Sequence, residues 1–448
     1  MRLSGAKTLV VGMKRSGLAA AELLAARGAD VLATDLKPLD QLPKAAEALA
    51  RIGARFEVQS PAVFEGRDLI VLSPGVPPDA EPLHQARARG IRVIGEVELA
   101  AEFLQGPIIG ITGSNGKTTT TALTGHILRE CGIPVQVGGN IGTAVTAMIT
   151  SSRANQWNVI ELSSFQLETI DRFRSQIGVC LNVTPDHLDR HHTFAAYAAA
   201  KARLFETQLS TDFAVLNADD PQCVLFASRT AARPLWFSLT RAMDPGVWLE
   251  KGAVWFDSQR ILGANEIPIR GRHNIENTMA AIAAARLAGA ATEPIAAAVR
   301  TFRAVEHRLE FVRNIAGVDF YNDSKATNVD ATLKAIEAFE GRLWVILGGK
   351  DKGSDYTTLT PQLKRKAHAA LLIGAAAKII ETQLGGQVPL IESGTLDAAV
   401  REAFHRSSPG DTILLAPACA SFDQFEDYEH RGRAFKQIVE GLAAGRSN

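Results

Sequence analysis

The stretch Pro107-Ile108-Ile109-Gly110-Ile111-Thr112-Gly113-Ser114-Asn115-Gly116-Lys117-Thr118-Thr119 decides how the rest of the chain is read. Pro107-Ile108-Ile109 is short, apolar and β-prone. Thr120-Thr121-Ala122-Leu123-Thr124-Gly125-His126-Ile127-Leu128-Arg129 has helical spacing. Strand, glycine-rich turn, Gly-Lys-Thr and helix, in that order, describe a phosphate-binding loop. Its glycines let backbone N–H groups curl around phosphate oxygens, and the helix adds its positive N-terminal end. Gly113, Asn115, Gly116, Lys117, Thr118 and Thr119 are therefore the expected ATP-binding residues. Lys117 is spaced to reach the β/γ-phosphates and the Thr118 hydroxyl to ligate magnesium. The usual pattern has glycine at position 111, whereas this chain has Ile111, with Gly110 one residue early. A plain glycine turn is the alternative, disfavoured by the strand–loop–helix context.

Outward from the loop, the bulk numbers bound the answer. The chain has 448 residues, which calls for two to four domains. Apolar content of 46% and charged content of 21% describe a soluble globular chain. Lys+Arg and Asp+Glu balance at 48 each, which argues against a generic nucleic-acid binder. Cys131, Cys180, Cys223 and Cys419 form no CxxC pair; they read as small buried hydrophobes in a reducing compartment. The N-terminal apolar run Lys7–Gly12 is too short for a signal peptide, and no stretch approaches a membrane span. A cytoplasmic protein is expected.

The first ~95 residues alternate strand and helix, hence a parallel sheet. Strands are expected at Thr8–Val11, Val31–Thr34, Asp68–Leu72 and Arg92–Ile94, with helices at Ser16–Arg27 and Glu81–Arg89. The turn Gly12-Met13-Lys14-Arg15-Ser16-Gly17 resembles a dinucleotide turn but lacks the second glycine of GxGxxG. Either it serves a nicotinamide cofactor, with Asp35 on a ribose, or it is a tight turn of an α/β domain. The second region, from Glu96, carries the phosphate loop and strands at Trp157–Leu162, Ile177–Val183 and Phe213–Asn217. Short alternating runs between Pro234 and Ile269 suggest antiparallel strands, before the helices His273–Leu287 and Glu293–Phe302. The third region, from Ala304, opens with a hairpin, Phe311–Ile315 and Val318–Asn322 about Ala316-Gly317. Strands at Leu343–Leu347, Ala370–Ile373 and Thr412–Leu415 complete a second, separate α/β sheet.

Glu161 closes an apolar strand, at the edge where ligands of open α/β sheets bind. It reads as a magnesium ligand, or as a buried Glu paired with a cation. His187, in Asn182-Val183-Thr184-Pro185-Asp186-His187-Leu188-Asp189, reads as a ligand or a hydrogen-bonded core histidine. Lys201 alone is unremarkable. Asn274 and Asn277 share a helix face by their i, i+3 spacing, to read a base edge or to cap the helix. Arg308 fits either charge stabilisation on a phosphate or an ordinary salt bridge. Three strand ends, Tyr321–Asn328, Leu347–Gly353 and Ala416–Phe425, are dense in polar groups. They make a plausible pocket for a small anion such as an amino-acid carboxylate.

At these residues the chain resembles the Mur ligase family. The resemblance runs through Ser73-Pro74-Gly75, Gly113–Thr119, Gly138-Gly139-Asn140-Ile141-Gly142, Glu161–Glu168, Asn182–Asp189, His273-Asn274, Asp323–Asn328 and Ala418–Phe425. The phosphate loop is common to Mur ligases and folylpolyglutamate synthases, and the family's shortened glycine pattern accounts for Ile111. Ser-Ser-Phe-Gln-Leu-Glu, Asn-Asp-Ser-Lys-Ala-Thr-Asn and Ala-Cys-Ala-Ser-Phe-Asp-Gln-Phe point to the members that add D-glutamate. The resemblance implies three α/β domains. They are a UDP-sugar-binding Rossmann-like domain (1–95), a central P-loop ATPase-type domain (96–303) and a C-terminal Rossmann-like, amino-acid-binding domain (304–448). It implies ATP-dependent amide formation on UDP-N-acetylmuramoyl-L-alanine through an acyl phosphate. Lys117 would bind the β/γ-phosphates, Thr118 and Glu161 one Mg2+, and His187 with a carbamylated Lys201 a second. Asn274, Asn277, Arg308, Asp323 and Lys325 would serve ATP. Thr327, Lys352, Ser421 and Tyr428 would hold D-glutamate. Ser16, Gly17, Asp35, Ser73, Pro74, Gly75 and Asn140 would serve the UDP-sugar.

The resemblance further implies small-molecule substrates, no nucleic-acid or membrane partner, and a monomer. Two departures stand out: Lys14-Arg15 makes the first turn more basic, placing one of them at the UDP diphosphate, and Tyr428 stands where the family often has Phe. Competing readings are another Mur-type or folate amide ligase, a nicotinamide oxidoreductase built on the first region, and a regulatory P-loop NTPase. Against them stand the Asp323–Asn328 sequence, the missing GxGxxG glycine and the polar strand ends.

Overall fold

A computed structural model describes residues 3–140, 142–303 and 305–444. Ile141 of the Gly138–Gly142 stretch and Ala304, where the third region is expected to begin, lie outside the described residues. Packing divides the chain into two units. One holds Met1–Val183, Ala195–Leu262 and Met279–Ala298; the other holds Thr184–Phe194, Gly263–Thr278 and Val299–Asn448.

In the first unit, β1 (Lys7–Val11), β2 (Asp30–Asp35), β3 (Arg55–Val58), β4 (Leu69–Leu72) and β5 (Arg92–Gly95) form a parallel sheet in the order β3-β2-β1-β4-β5. Successive side chains of a strand face opposite sides. Val10 accordingly joins the apolar cluster of one face while Leu9 and Val11 join that of the other. The order reverses between β1 and β4, where doubly wound sheets bind ligands. β3 was not expected from sequence: it is a mostly exposed edge strand without an apolar run to announce it.

The second sheet contains β6 (Ile108–Thr112), β7 (Val135–Gly139), β8 (Trp157–Glu161), β9 (Ile177–Cys180), β10 (Phe213–Asn217), β11 (Arg233–Ser238), β12 (Gly246–Glu250), β13 (Ala253–Phe256) and β14 (Gln259–Gly263), ordered β14-β13-β12-β11-β10-β9-β6-β8-β7. The antiparallel expectation after Pro234 is met by β12 with β13, while β11 pairs in parallel with β10 and with β12. Glu98, in the helix Glu96–Ala101, ties this sheet to the first. Its carboxylate accepts the N–H groups of Asp171, Arg172 and Phe173 and pairs with Arg92 at 3.0 Å.

In the second unit, β15 (Glu310–Ile315), β16 (Val318–Asn322), β17 (Leu343–Gly348), β18 (Ala367–Ile373), β19 (Leu390–Gly394) and β20 (Thr412–Leu415) are ordered β15-β16-β20-β17-β18-β19. β15 and β16 form the expected antiparallel hairpin and the other pairs are parallel. Leu343, Val345 and Leu347 pack on one face of the sheet and Trp344 and Ile346 on the other.

Candidate active site

The phosphate loop is built as its residues dictate. It follows β6, and the helix Lys117–Glu130 starts at Gly116, whose φ of 86° suits glycine. The loop is pinned from β9: Ser114 N–H donates to the Asn182 carbonyl at 2.8 Å. Asn115 N–H donates to Asn182 Oδ1 at 2.9 Å, and Asn182 Nδ2 donates back to the Asn115 carbonyl. Ser114 Oγ meets the Tyr197 hydroxyl at 3.0 Å. Lys117 Nζ donates to the Gly113 and Ser114 carbonyls at 2.8 and 2.9 Å. Lys201 is 1% exposed, donates to the same Gly113 carbonyl at 2.7 Å and lies 4.5 Å from the centre of the Tyr197 ring. Asn182 and Tyr197 thus hold the loop, a role sequence reading did not give them.

Glu161 ends β8 beside this loop, and among the described residues no cation pairs with it. It is 1% exposed; Oε1 accepts from Asn140 Nδ2 at 2.9 Å, and Oε2 is buried without a hydrogen-bond partner among the described residues. A buried carboxylate oxygen left unmatched is costly in a protein interior. A hard cation satisfies it, and magnesium takes carboxylate and hydroxyl oxygens such as those of Glu161 and the buried Thr118. The residues fit a magnesium ion.

The carboxyl ends of the first sheet line a cavity of about 620 Å³ that includes Gly12, Lys14–Ser16, Asp35, Ser73–Pro77 and, from the end of β7, Asn140. Each strand end contributes for a local reason. A Cβ on Gly17 would lie 1.9 Å from the Gly12 carbonyl, so the helix can enter this closely only with glycine. Ser73 Oγ donates to the Gly12 carbonyl at 2.8 Å, locking the β4 turn onto the β1 turn. Asp35 Oδ2 accepts from Met13 N–H at 2.8 Å. Of the expected UDP-sugar residues, Ser16, Asp35, Ser73, Pro74, Gly75 and Asn140 all line this cavity, as do Lys14 and Arg15.

In the second unit three strand-end loops meet above the adjacent strands β16, β20 and β17. Arg431, 1% exposed in the helix Tyr428–Ala444, joins them: Nε donates to Ser324 Oγ at 3.0 Å, and Nη2 donates to the carbonyls of Ser324 and Cys419 at 2.8 and 3.2 Å. Lys350 and Ala420 exchange backbone hydrogen bonds. Burial pulls the Arg431 guanidinium down to about 10. This residue carried no signal in the sequence, because its partners are far away in the chain.

These loops bring Ser421, Thr327 and Lys352 to one end of the sheet. Tyr428 is tied in by its carbonyl, which accepts from Ser324 Oγ at 2.8 Å, and its ring lies 4.8 Å from Lys325 Nζ. Asp323 is buried beside Arg308. Burial pushes its carboxyl up to about 6, opposed by the Arg308 charge and by Leu309 N–H. Asn274 and Asn277 do share a helix face, Asn277 Nδ2 donating to Asn274 Oδ1 at 2.9 Å. His187 belongs to this unit, whereas Thr118, Glu161 and Lys201 belong to the first. His187 adopts a left-handed φ of 53° ahead of a short helix. Its neighbour Asp186 accepts from Asn328 Nδ2 at 2.9 Å and lies 3.9 Å from Lys352 Nζ.

Three family profiles match: the Mur ligase MurD-like N-terminal domain over residues 6–95, the Mur ligase middle domain over 111–285, and the Mur ligase glutamate ligase domain over 307–419. The UDP-N-acetylmuramoylalanine–D-glutamate ligase of Solibacter usitatus (strain Ellin6076) is 66% identical over 442 residues, 99% of each chain. The ligase of the same name from Acidobacterium capsulatum is 54% identical over 98% of this chain and 97% of its own. Among solved structures, a pseudomurein peptide ligase type C from Methanothermus fervidus superposes with a TM-score of 0.62 at 18% identity, covering 98% of this chain and all of the other (100%). UDP-N-acetylmuramate-alanine ligase from Thermotoga maritima gives 0.60 at 19%, over 98% and 100%. At such identities the structures speak for the fold alone.

Proposed function

The chain belongs to the Mur ligase family, and we propose that it joins D-glutamate to UDP-N-acetylmuramoyl-L-alanine at the expense of ATP, in peptidoglycan precursor synthesis. The observation that carries this reading is the 66% identity to a D-glutamate ligase over 99% of both chains. The nicotinamide alternative loses its basis, since the first-sheet domain matches a Mur ligase domain.

The chemistry follows from the substrates. A carboxylate is a poor acyl donor, so an oxygen of the L-alanine carboxylate takes the γ-phosphoryl group and ADP departs. The D-glutamate amine then attacks the carbonyl carbon, phosphate leaves and the amine loses a proton. Lys117 and the loop amides hold the β/γ-phosphates. Bound magnesium offsets charge on the transferring phosphoryl oxygens. Thr118 and Glu161 hold one ion, supported by the unmatched Glu161 Oε2.

His187 and Lys201 serve a second ion, Lys201 as a carbamate whose oxygens make an anionic ligand of an amine. Asn274, Asn277, Arg308, Asp323 and Lys325 serve ATP. Thr327, Lys352, Ser421 and Tyr428 hold D-glutamate, which the meeting of three strand-end loops supports. Ser16, Gly17, Asp35, Ser73, Pro74, Gly75 and Asn140 hold the UDP-sugar. The working domains are 1–95, 96–303 and 304–448, and the protein acts as a cytoplasmic monomer. Among the described residues no helix is long and apolar enough to cross a membrane.

The mechanism is tested with UDP-N-acetylmuramoyl-L-alanine labelled with ¹⁸O in its carboxylate. The reading requires label in the released phosphate during D-glutamate addition; label confined to the amide product contradicts it.

A further inference from the structure

The nucleotide-sugar cavity and the Glu161 carboxylate are not separate structures. Arg15 lines the cavity and its Nη2 donates to the Asn140 carbonyl at 3.1 Å. Asn140 in turn grips Glu161 twice: its N–H donates to the Glu161 carbonyl at 2.9 Å, and its Nδ2 donates to Glu161 Oε1 at 2.9 Å. This double grip depends on Gly139. Its φ is 115°, and a Cβ there would lie 2.3 Å from the Glu161 carbonyl oxygen. Glu161 Oε2 is left buried and unmatched. A continuous path therefore runs from a guanidinium in the cavity wall, through one asparagine, to a carboxylate oxygen that lacks a partner.

A guanidinium has five N–H donors in a planar fork, and Arg15 gives one to the Asn140 carbonyl. The fork suits a diphosphate oxygen on its other side. We propose that Arg15 is a positioning residue coupling the two sites: a diphosphate held by Arg15 fixes the Asn140 backbone, Asn140 fixes Glu161 Oε1, and Oε2 is thereby left to the magnesium ion. The nucleotide-sugar and the metal then bind cooperatively. Thermodynamic linkage requires each to tighten the other by the same factor. Arg15 touches neither the reacting carboxylate nor the ion in this scheme. The proposal rests on reading the cavity as the nucleotide-sugar pocket.

Titration calorimetry on the full chain, without ATP, tests it. UDP-N-acetylmuramoyl-L-alanine is titrated with and without Mg2+, and Mg2+ with and without the nucleotide-sugar. In the unaltered protein the mutual tightening is about fivefold or more, the lower end of ordinary coupling. Arg15→Lys keeps a charge for the diphosphate but not the planar fork, so it binds the nucleotide-sugar more weakly yet measurably, and the coupling falls towards one. Arg15→Ala loses nucleotide affinity as well, and Mg2+ binding in the absence of nucleotide is unchanged in both variants. Coupling of unaltered size in Arg15→Lys overturns the proposal, because metal carried directly on the diphosphate would behave that way. Absence of coupling in the unaltered protein also overturns it. If the unaltered protein does not bind the nucleotide-sugar at all, the pocket reading itself is wrong and the relay falls with it.

Discussion

Two carboxylates that a sequence presents alike behave differently once folded. Glu161 is buried with one oxygen held by Asn140 and the other unmatched. Glu161→Gln keeps the shape and removes the charge that a cation needs. The expected outcome is a loss of about 100-fold or more in kcat/KM, the several kcal/mol a bound metal supplies, with a weaker Mg2+ dependence, measured by initial rates against Mg2+ concentration. Asp323 is buried too, and its carboxyl is pushed up to about 6 from 3.8. Between those values the folded chain keeps a proton that the unfolded chain has released, so stability falls as pH rises across that window. Denaturant titrations from pH 4 to 6 should show this slope, and Asp323→Asn should flatten it. At this scale the sequence was readable where a residue type announces its chemistry in place, as Lys117 and Glu161 do. It was silent at Asn182, whose use is to pin a loop 67 positions away.

Strand ends position many of the candidate residues, Glu161, Asp323 and Ser421 among them, and what holds those ends together is long-range. Arg431 joins the loops after β16 and β20 by donating to Ser324 and to the Cys419 carbonyl, with no carboxylate among its acceptors in the described residues. Arg431→Met leaves those buried acceptors unmatched, at about 1–3 kcal/mol each. We expect it to destabilise the protein by about 2–5 kcal/mol in chemical denaturation, by the same principle, and to raise the D-glutamate KM. Arg431→Lys should restore little, since an ammonium lacks the planar fork. A variant with unaltered stability and KM would contradict this account of the loops. Elements with continuous apolar runs, such as β1, β4 and β17, were plain in the sequence because both their faces are buried. β7 was missed because it ends in Gly138-Gly139, residues chosen for closeness to Met148 and to Glu161 and not for strand propensity.

Over the whole molecule, three α/β sheets each deliver polar residues from their carboxyl ends, and the fold class followed from alternating strand and helix signals. Substrate choice did not follow from composition or periodicity. It rested on short stretches such as Asp323–Asn328, and the names of the full-length relatives agree with the same amino acid. The central claim concerns which amino acid is joined. Phosphate release from ATP is therefore measured with UDP-N-acetylmuramoyl-L-alanine and, in turn, D-glutamate, L-glutamate, meso-diaminopimelate and L-lysine. The account predicts that D-glutamate alone stimulates release well above the background without amino acid. Equal or greater stimulation by any of the other three would contradict it.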